Sequence, residues 1–171
     1  MANDPSRRRF AKRAIVSSAL ALIICIPLGN TVGKHYKIGL DLGEFRCLPW
    51  HVYLVELGRP SGLERGDYVA FIARDGIMGD RFQGRMIGKM VAGLPGDKVT
   101  VKDDFATVNG MPVGELTLLA RLGKKSHDFD RTAIVPEGKV FVVGTEPRSY
   151  DGRYWGFLDQ SFLIGRVKPL Y

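Results

Sequence analysis

The chain has 171 residues, 45% of them hydrophobic and 21 of them glycine, which is enough for one domain with a packed core plus an appendage and excludes a disordered chain. Its net charge of +7 is concentrated at the N-terminus, where Arg7, Arg8, Arg9, Lys12 and Arg13 are offset by Asp4 alone. No later arginine stripe with interleaved aromatics occurs, so the basicity reads as membrane topology and excludes a nucleic-acid footprint. The three histidines, His35, His51 and His127, are scattered, and no Cys/His cluster has zinc spacing, so neither a metal nor a cofactor is called for.

Residues 1–13 form a basic segment, followed by an apolar stretch assigned as an anchor over residues 14–33; no charge falls between Arg13 and Lys34. About twenty residues at a helical rise of ~1.5 Å match the ~30 Å hydrocarbon thickness. The absence of a polar face argues against a buried core helix. Pro27 and Gly29 are expected to end or kink this helix. The charge flank predicts a cytoplasmic N-terminus, with residues 34–171 exported as one domain. A cleaved signal peptide lacks a good Ala-x-Ala site here, and Ser6–Lys12 also resembles a twin-arginine export signal. Cys25 lies inside the apolar run, so a structural disulfide with Cys47 is not expected.

Residues 30–46 read as a connector, then His51–Glu56 as a short strand. Asp67–Ala73, Arg85–Val91, Lys98–Val101, Phe105–Val108, Met111–Val113, Lys139–Gly144 and Ser161–Lys168 read as further strands. Asn109-Gly110 is a strong type I′ hairpin signal. Glu115–Asp130 carries little pattern and reads as a small insertion or a partner-facing loop. Strands at this spacing predict a mainly β, barrel-like antiparallel body behind one N-terminal transmembrane helix.

Chemistry concentrates in Ile87–Asp97, IGKMVAGLPGD, where Lys89 is the one charge in the run Met86–Gly96. Burial disfavours an ammonium ion, so a lysine held in a dry place can rest as the free amine that a general base requires. The plainer reading is an edge-strand lysine whose stem carries the charge to water. Lys-x-x-x-Gly-Leu-Pro-Gly-Asp resembles the lysine box of the type I signal peptidases, membrane-anchored serine/lysine endopeptidases. Gly144-Thr-Glu-Pro-Arg-Ser149-Tyr-Asp151-Gly-Arg153-Tyr-Trp-Gly156 is similar to that family's late box. Gly66-Asp67 with its strand resembles a short structural box, and the resemblance covers residues 40–168.

The stretch Cys47-Leu-Pro49-Trp-His51-Val-Tyr53 resembles the nucleophile box of the branch that matures conjugative pilins, Ser-x-Pro-x-Gly-x-Tyr. Pro49 and Tyr53 match it, Cys47 stands where the serine would be and His51 where the glycine would be. The resemblance thus implies Cys47 as nucleophile and Lys89 as base, with Ser149 bonded to the lysine amine and Asp151 paired with Arg153 to fix the wall of the site. A thiol is easier to deprotonate than a hydroxyl, since cysteine titrates near ~8.5. A second departure is Phe45, two residues before Cys47, where the family commonly has a hydroxyl that helps hold the oxyanion. Three readings stay open: an active Cys/Lys peptidase, an inactive relative, and a serine enzyme whose nucleophile has been replaced. A Cys47/His51 dyad is disfavoured, because i and i+4 on a strand lie ~13 Å apart.

The function implied by the resemblance is an inner-membrane endopeptidase with its catalytic domain in the periplasm. It would process a pilin precursor for conjugative transfer, and would also cyclise it if the new amine replaced water. Its partners would be that precursor or another secreted one, membrane lipid and the transfer apparatus. The alternatives are a general secretory signal peptidase and a non-catalytic membrane-anchored scaffold. Leu48, Trp50 and Val52 would line the substrate groove, dip into lipid or belong to the core.

Overall fold

The structure, a computed structural model, describes residues 5–41, 46–74 and 76–171. Phe45, the position of the missing oxyanion hydroxyl, lies outside the described residues. The chain divides into two compact units, Met1–Tyr36 and Lys37–Tyr171.

The first unit is helix α1, Pro5–His35. Its stretch Lys12–His35 is long and apolar enough, by length and composition, to cross a membrane. Its apolar side chains, among them Ile15, Leu20, Ile23 and Ile26, are exposed. The expected stop at Pro27–Gly29 does not occur: the helix passes through Pro27 and ends at His35. A proline removes one backbone bond, a loss the helix absorbs here without ending.

The second unit is β-rich. Its strands are β1 Tyr36–Leu40, β2 Val52–Leu57, β3 Tyr68–Ile72, β4 Met86–Gly93, β5 Lys98–Lys102 and β6 Phe105–Val108. They continue as β7 Met111–Glu115, β8 Arg131–Ile134, β9 Lys139–Val143, β10 Leu158–Asp159 and β11 Leu163–Pro169. One four-residue helix, α2 Gly152–Trp155, lies between β9 and β10. The end of α1 and β1 occupy residues 30–40 of what the sequence reads as a connector over residues 30–46.

A seven-stranded sheet has the order β1-β2-β11-β3-β4-β9-β10 and a four-stranded sheet the order β7-β6-β5-β8. Every resolved pairing is antiparallel. The larger order ends at β1 and at β10, so neither sheet closes on itself by hydrogen bonding among the described residues; the barrel-like expectation is met by antiparallel β structure without closure. Asn109 and Gly110 both have positive φ, the type I′ geometry the sequence predicts between β6 and β7.

Two features of this topology position the site. β3 and β9, VAF and VFVV at their centres, are buried along nearly their whole length, and they flank β4. A residue in the middle of β4 therefore sits in an interior strand, with a strand paired on either side; Lys89 is one, opposite Val69 of β3, beside Val91 opposite Val142 of β9. Glycine then decides what comes near β4: a Cβ on Gly88 would lie 2.9 Å from Leu48 Cδ1. Its absence lets Leu48, 1% exposed, pack over the strand and bring Cys47 with it.

Candidate active site

Lys89 is completely buried. Its Nζ lies 2.8 Å from Cys47 Sγ and 2.6 Å from Ser149 Oγ. Three chain segments thus meet at one amine: the turn before β2, the middle of β4 and the loop after β9. Cys47 is half-buried and lines a cleft of about 950 Å³, so the sulfur has access to solvent that the amine lacks. Met78, Ile87 and Tyr150 contribute apolar lining, and Asp41, Arg85, Arg121 and Arg148 are its charged residues among those described.

The backbone is arranged to hold this contact. The carbonyl of Cys47 accepts from Thr145 N–H at 3.0 Å. A Cβ on Gly144 would lie 2.7 Å from that carbonyl oxygen and 2.0 Å from Ser149 Oγ, so only a glycine admits both. Asp151, also fully buried, accepts from Gly144 N–H at 2.7 Å and caps α2 by accepting from Arg153 N–H at 3.1 Å. The Arg153 guanidinium returns two bonds to the same carboxylate, at 2.9 and 2.8 Å, and donates to Glu115 C=O at 2.7 Å.

The chain matches the profile of the family described as signal peptidase, peptidase S26, over residues 8–171. It belongs to that family. Signal peptidase IB of Staphylococcus aureus (strain COL) is 31% identical over 170 residues, 90% of this chain and 85% of the relative. A probable signal peptidase I-2 of Synechocystis is 34% identical over 105 residues, 61% of this chain and 46% of that protein. Among solved structures, a signal peptidase I from Enterococcus faecalis aligns with a TM-score of 0.42 at 30% identity, over 63% of this chain and 98% of that one. The chain is thus a peptidase of the signal peptidase type.

In this S26 peptidase the ion pair behind the site is an electrostatic unit. Burial pushes the Asp151 carboxyl up, but the Arg153 guanidinium and the Gly144 N–H outweigh it, and its pKa is lowered. Burial works against the Arg153 charge as well, and Asp151 more than offsets it, so the arginine's pKa is raised. Burial, then the nearby Asp41 and Cys47, raises the pKa of Tyr53, so its hydroxyl stays a donor in the cleft through neutral pH.

All five residues singled out from the sequence, Cys47, Lys89, Ser149, Asp151 and Arg153, therefore fall in one connected cluster. His51 does not join it: it is exposed, with Nε2 2.9 Å from Arg46 and Nδ1 3.3 Å from the Asp41 carbonyl. Val52 is half-buried at the start of β2, and Trp50 stacks edge-on against Tyr68 with ring centroids 4.7 Å apart.

Two supporting residues escape a sequence reading. Arg131, on β8, donates to the carbonyls of Gly152 and Arg153 at 2.7 and 2.9 Å, tying the smaller sheet to the loop that carries Ser149 and Asp151. A lone arginine that bonds only carbonyls leaves no pattern in a sequence. Arg65 pairs with Asp97, whose carboxylate also accepts from Leu94 N–H at 2.7 Å and Asn109 Nδ2 at 2.8 Å. That set fixes the Leu94–Asp97 turn at the end of the lysine strand to the β6–β7 hairpin; the Asp97 after Pro-Gly was the available signal.

Proposed function

We propose that this chain is a membrane-anchored endopeptidase that cleaves an exported precursor through a Cys47 nucleophile and a Lys89 general base. The observation that carries it is the 2.8 Å contact between a solvent-reached sulfur and a wholly buried amine. Sγ attacks the scissile carbonyl as Nζ takes the thiol proton. The Cys47 backbone N–H serves as donor to the oxyanion, and Nζ returns its proton to the leaving amine. The thioester is then opened by water, deprotonated by the same lysine. Ser149 holds the amine in line from 2.6 Å, and Asp151 with Arg153 holds Ser149's loop. The buried contact favours a catalytic role over that of a scaffold.

α1 anchors the chain in a bacterial inner membrane as a single span, basic end in the cytoplasm and the catalytic unit in the periplasm. The substrate is a secreted precursor cut at a small-residue segment just outside its own membrane span. The Pro49/Tyr53 spacing after Cys47 favours a pilin precursor of a conjugative apparatus, with cyclisation when the precursor's own amine displaces the sulfur. The likeness to signal peptidases IB and I-2 favours the second reading, general secretory processing.

The experiment follows precursor mobility in cells carrying Cys47→Ala, Cys47→Ser or Lys89→Ala. Both alanine variants are expected to leave the precursor uncut, and a thiol-alkylating reagent is expected to block the wild type but spare any Cys47→Ser activity. Normal processing by both alanine variants overturns the peptidase mechanism. Processing confined to one pilin-like substrate selects the first reading, and processing of many exported proteins the second.

A further inference from the structure

We propose that Cys47 and Lys89 are also a site of reversible oxidative cross-linking, in which a peroxide closes the pair into a sulfenamide. The inference depends on the sulfur–nitrogen distance and holds whether or not the pair cleaves peptides.

Three observations place the partners for it. Cys47 lines the open cleft, so a small oxidant reaches its sulfur. The nearest amine, Lys89 Nζ, is 2.8 Å away, fully buried and held at 2.6 Å by Ser149 Oγ. Both backbones are pinned, Cys47 by Thr145 N–H and β4 by pairing with β3 and β9. A nucleophile so held has an effective concentration on the order of 10⁵ M or more, far above any thiol in solution. Bond formation needs a closing of about 1 Å, which small rotations along the lysine stem supply.

The steps balance. The sulfur attacks one oxygen of hydrogen peroxide, the O–O bond breaks and water leaves; the sulfur, oxidised by two electrons, becomes a sulfenic acid. The Lys89 nitrogen lone pair then attacks that sulfur, the S–O bond breaks, and the hydroxyl departs with an amine proton as a second water. The product is Cys47–S–NH–Lys89. An external thiol reverses it by attacking the sulfur, the nitrogen leaving with the thiol's proton, and a second thiol frees Cys47 from the mixed disulfide. The cross-link consumes nucleophile and base together and intercepts the sulfenic acid before further oxidation makes the loss permanent.

Cys25 is the other cysteine in the chain, and a disulfide with it has the same mass change, so the test uses the full-length Cys25→Ser protein in detergent. With hydrogen peroxide near equimolar, the intact mass is expected to fall by about 2 Da, and a digest to yield a linked peptide pair containing residues 47 and 89. Dithiothreitol should restore the mass and the alkylatable thiol. In the same background Lys89→Arg is expected to gain about 16 Da, as a sulfenic acid, in place of that loss, and about 32 Da, as a sulfinic acid, when a second equivalent of peroxide is added. The linked peptide is read in the Lys89 protein alone, so a misfolded variant does not decide the outcome. The proposal is overturned by absence of the linked pair, by a link retaining oxygen (a gain of about 14 Da), or by an undiminished 2 Da loss in a folded Lys89→Arg protein, which would put the sulfur on a backbone nitrogen.

Discussion

The Ser149 hydroxyl occupies the space that a side chain on Gly144 would need: a Cβ there would lie 2.0 Å from Oγ. This exclusion lets the loop after β9 fold back until Oγ is 2.6 Å from the Lys89 amine.

Gly144→Ala is therefore expected to displace Ser149 and the Cys47 carbonyl together. The cost in stability is about 1–3 kcal/mol, from overpacking. The cost in kcat is on the order of 10²-fold, about 2.7 kcal/mol and so at the upper end of that range, because the amine loses its alignment with the sulfur. Chemical denaturation compared with single-turnover cleavage checks this; an equal, small effect on both would contradict it.

Gly88 makes the same kind of prediction one residue from the base. Valine there collides with Leu48, whose Cδ1 sits 2.9 Å from the Cβ position. The Cys47 segment is expected to lift off β4, exposing its thiol. Faster modification by a bulky maleimide in Gly88→Val than in wild type is the readout, and an unchanged labelling rate would count against the packing argument.

The Asp151–Arg153 pair is buried on both sides, at 0% and 3% exposure. Removing one partner strands the other, so Asp151→Ala or Arg153→Met is expected to cost about 3–5 kcal/mol. Replacing both with apolar residues should cost less than the sum of the two single changes. A double-mutant cycle by urea unfolding measures the coupling, and strict additivity would refute it.

Asp97 sets an acid limit on the lysine strand. Its pKa is lowered to about 2 by the Arg65 hydrogen bond, against burial, with help from Leu94 N–H, Asn109 and the Arg65 charge. The unfolded-state value is about 3.9, so the ionised carboxylate's contribution is fully present above that pH and is lost as pH falls through about 2. Arg65 is half exposed, so screening reduces the contribution to about 1–2 kcal/mol. The stability gap between wild type and Asp97→Asn should be full at pH 5 and shrink toward pH 2. A gap independent of pH would show that the carboxylate's charge contributes nothing.

Most of the strands were legible because their signals are local. The β-branched and aromatic run in VYLVEL, the Asn109-Gly110 turn and the apolar run of α1 each act within a few residues. The misplaced segments lack such signals. β1 and β8 exist as pairings with partners distant in sequence, and α2 is one turn capped by its own Asp151. Of the two outcomes expected at Pro27 and Gly29, a stop and a kink, the stop does not occur, since α1 runs on to His35.

By itself the sequence determined the residue types of the site and their order: a thiol near residue 47, one lysine in an uncharged strand, and a Ser-x-Asp-x-Arg loop. It also determined the apolar span, since hydrophobic length is a property of contiguous residues. Only the tertiary structure decided that sulfur, amine and hydroxyl meet within 2.8 Å, and that Arg131 and Arg65 brace the elements carrying them. Those contacts join residues 21 to 60 positions apart. They arise from strand order and from the room left at Gly88 and Gly144, and steric room becomes defined only when the sheets pack.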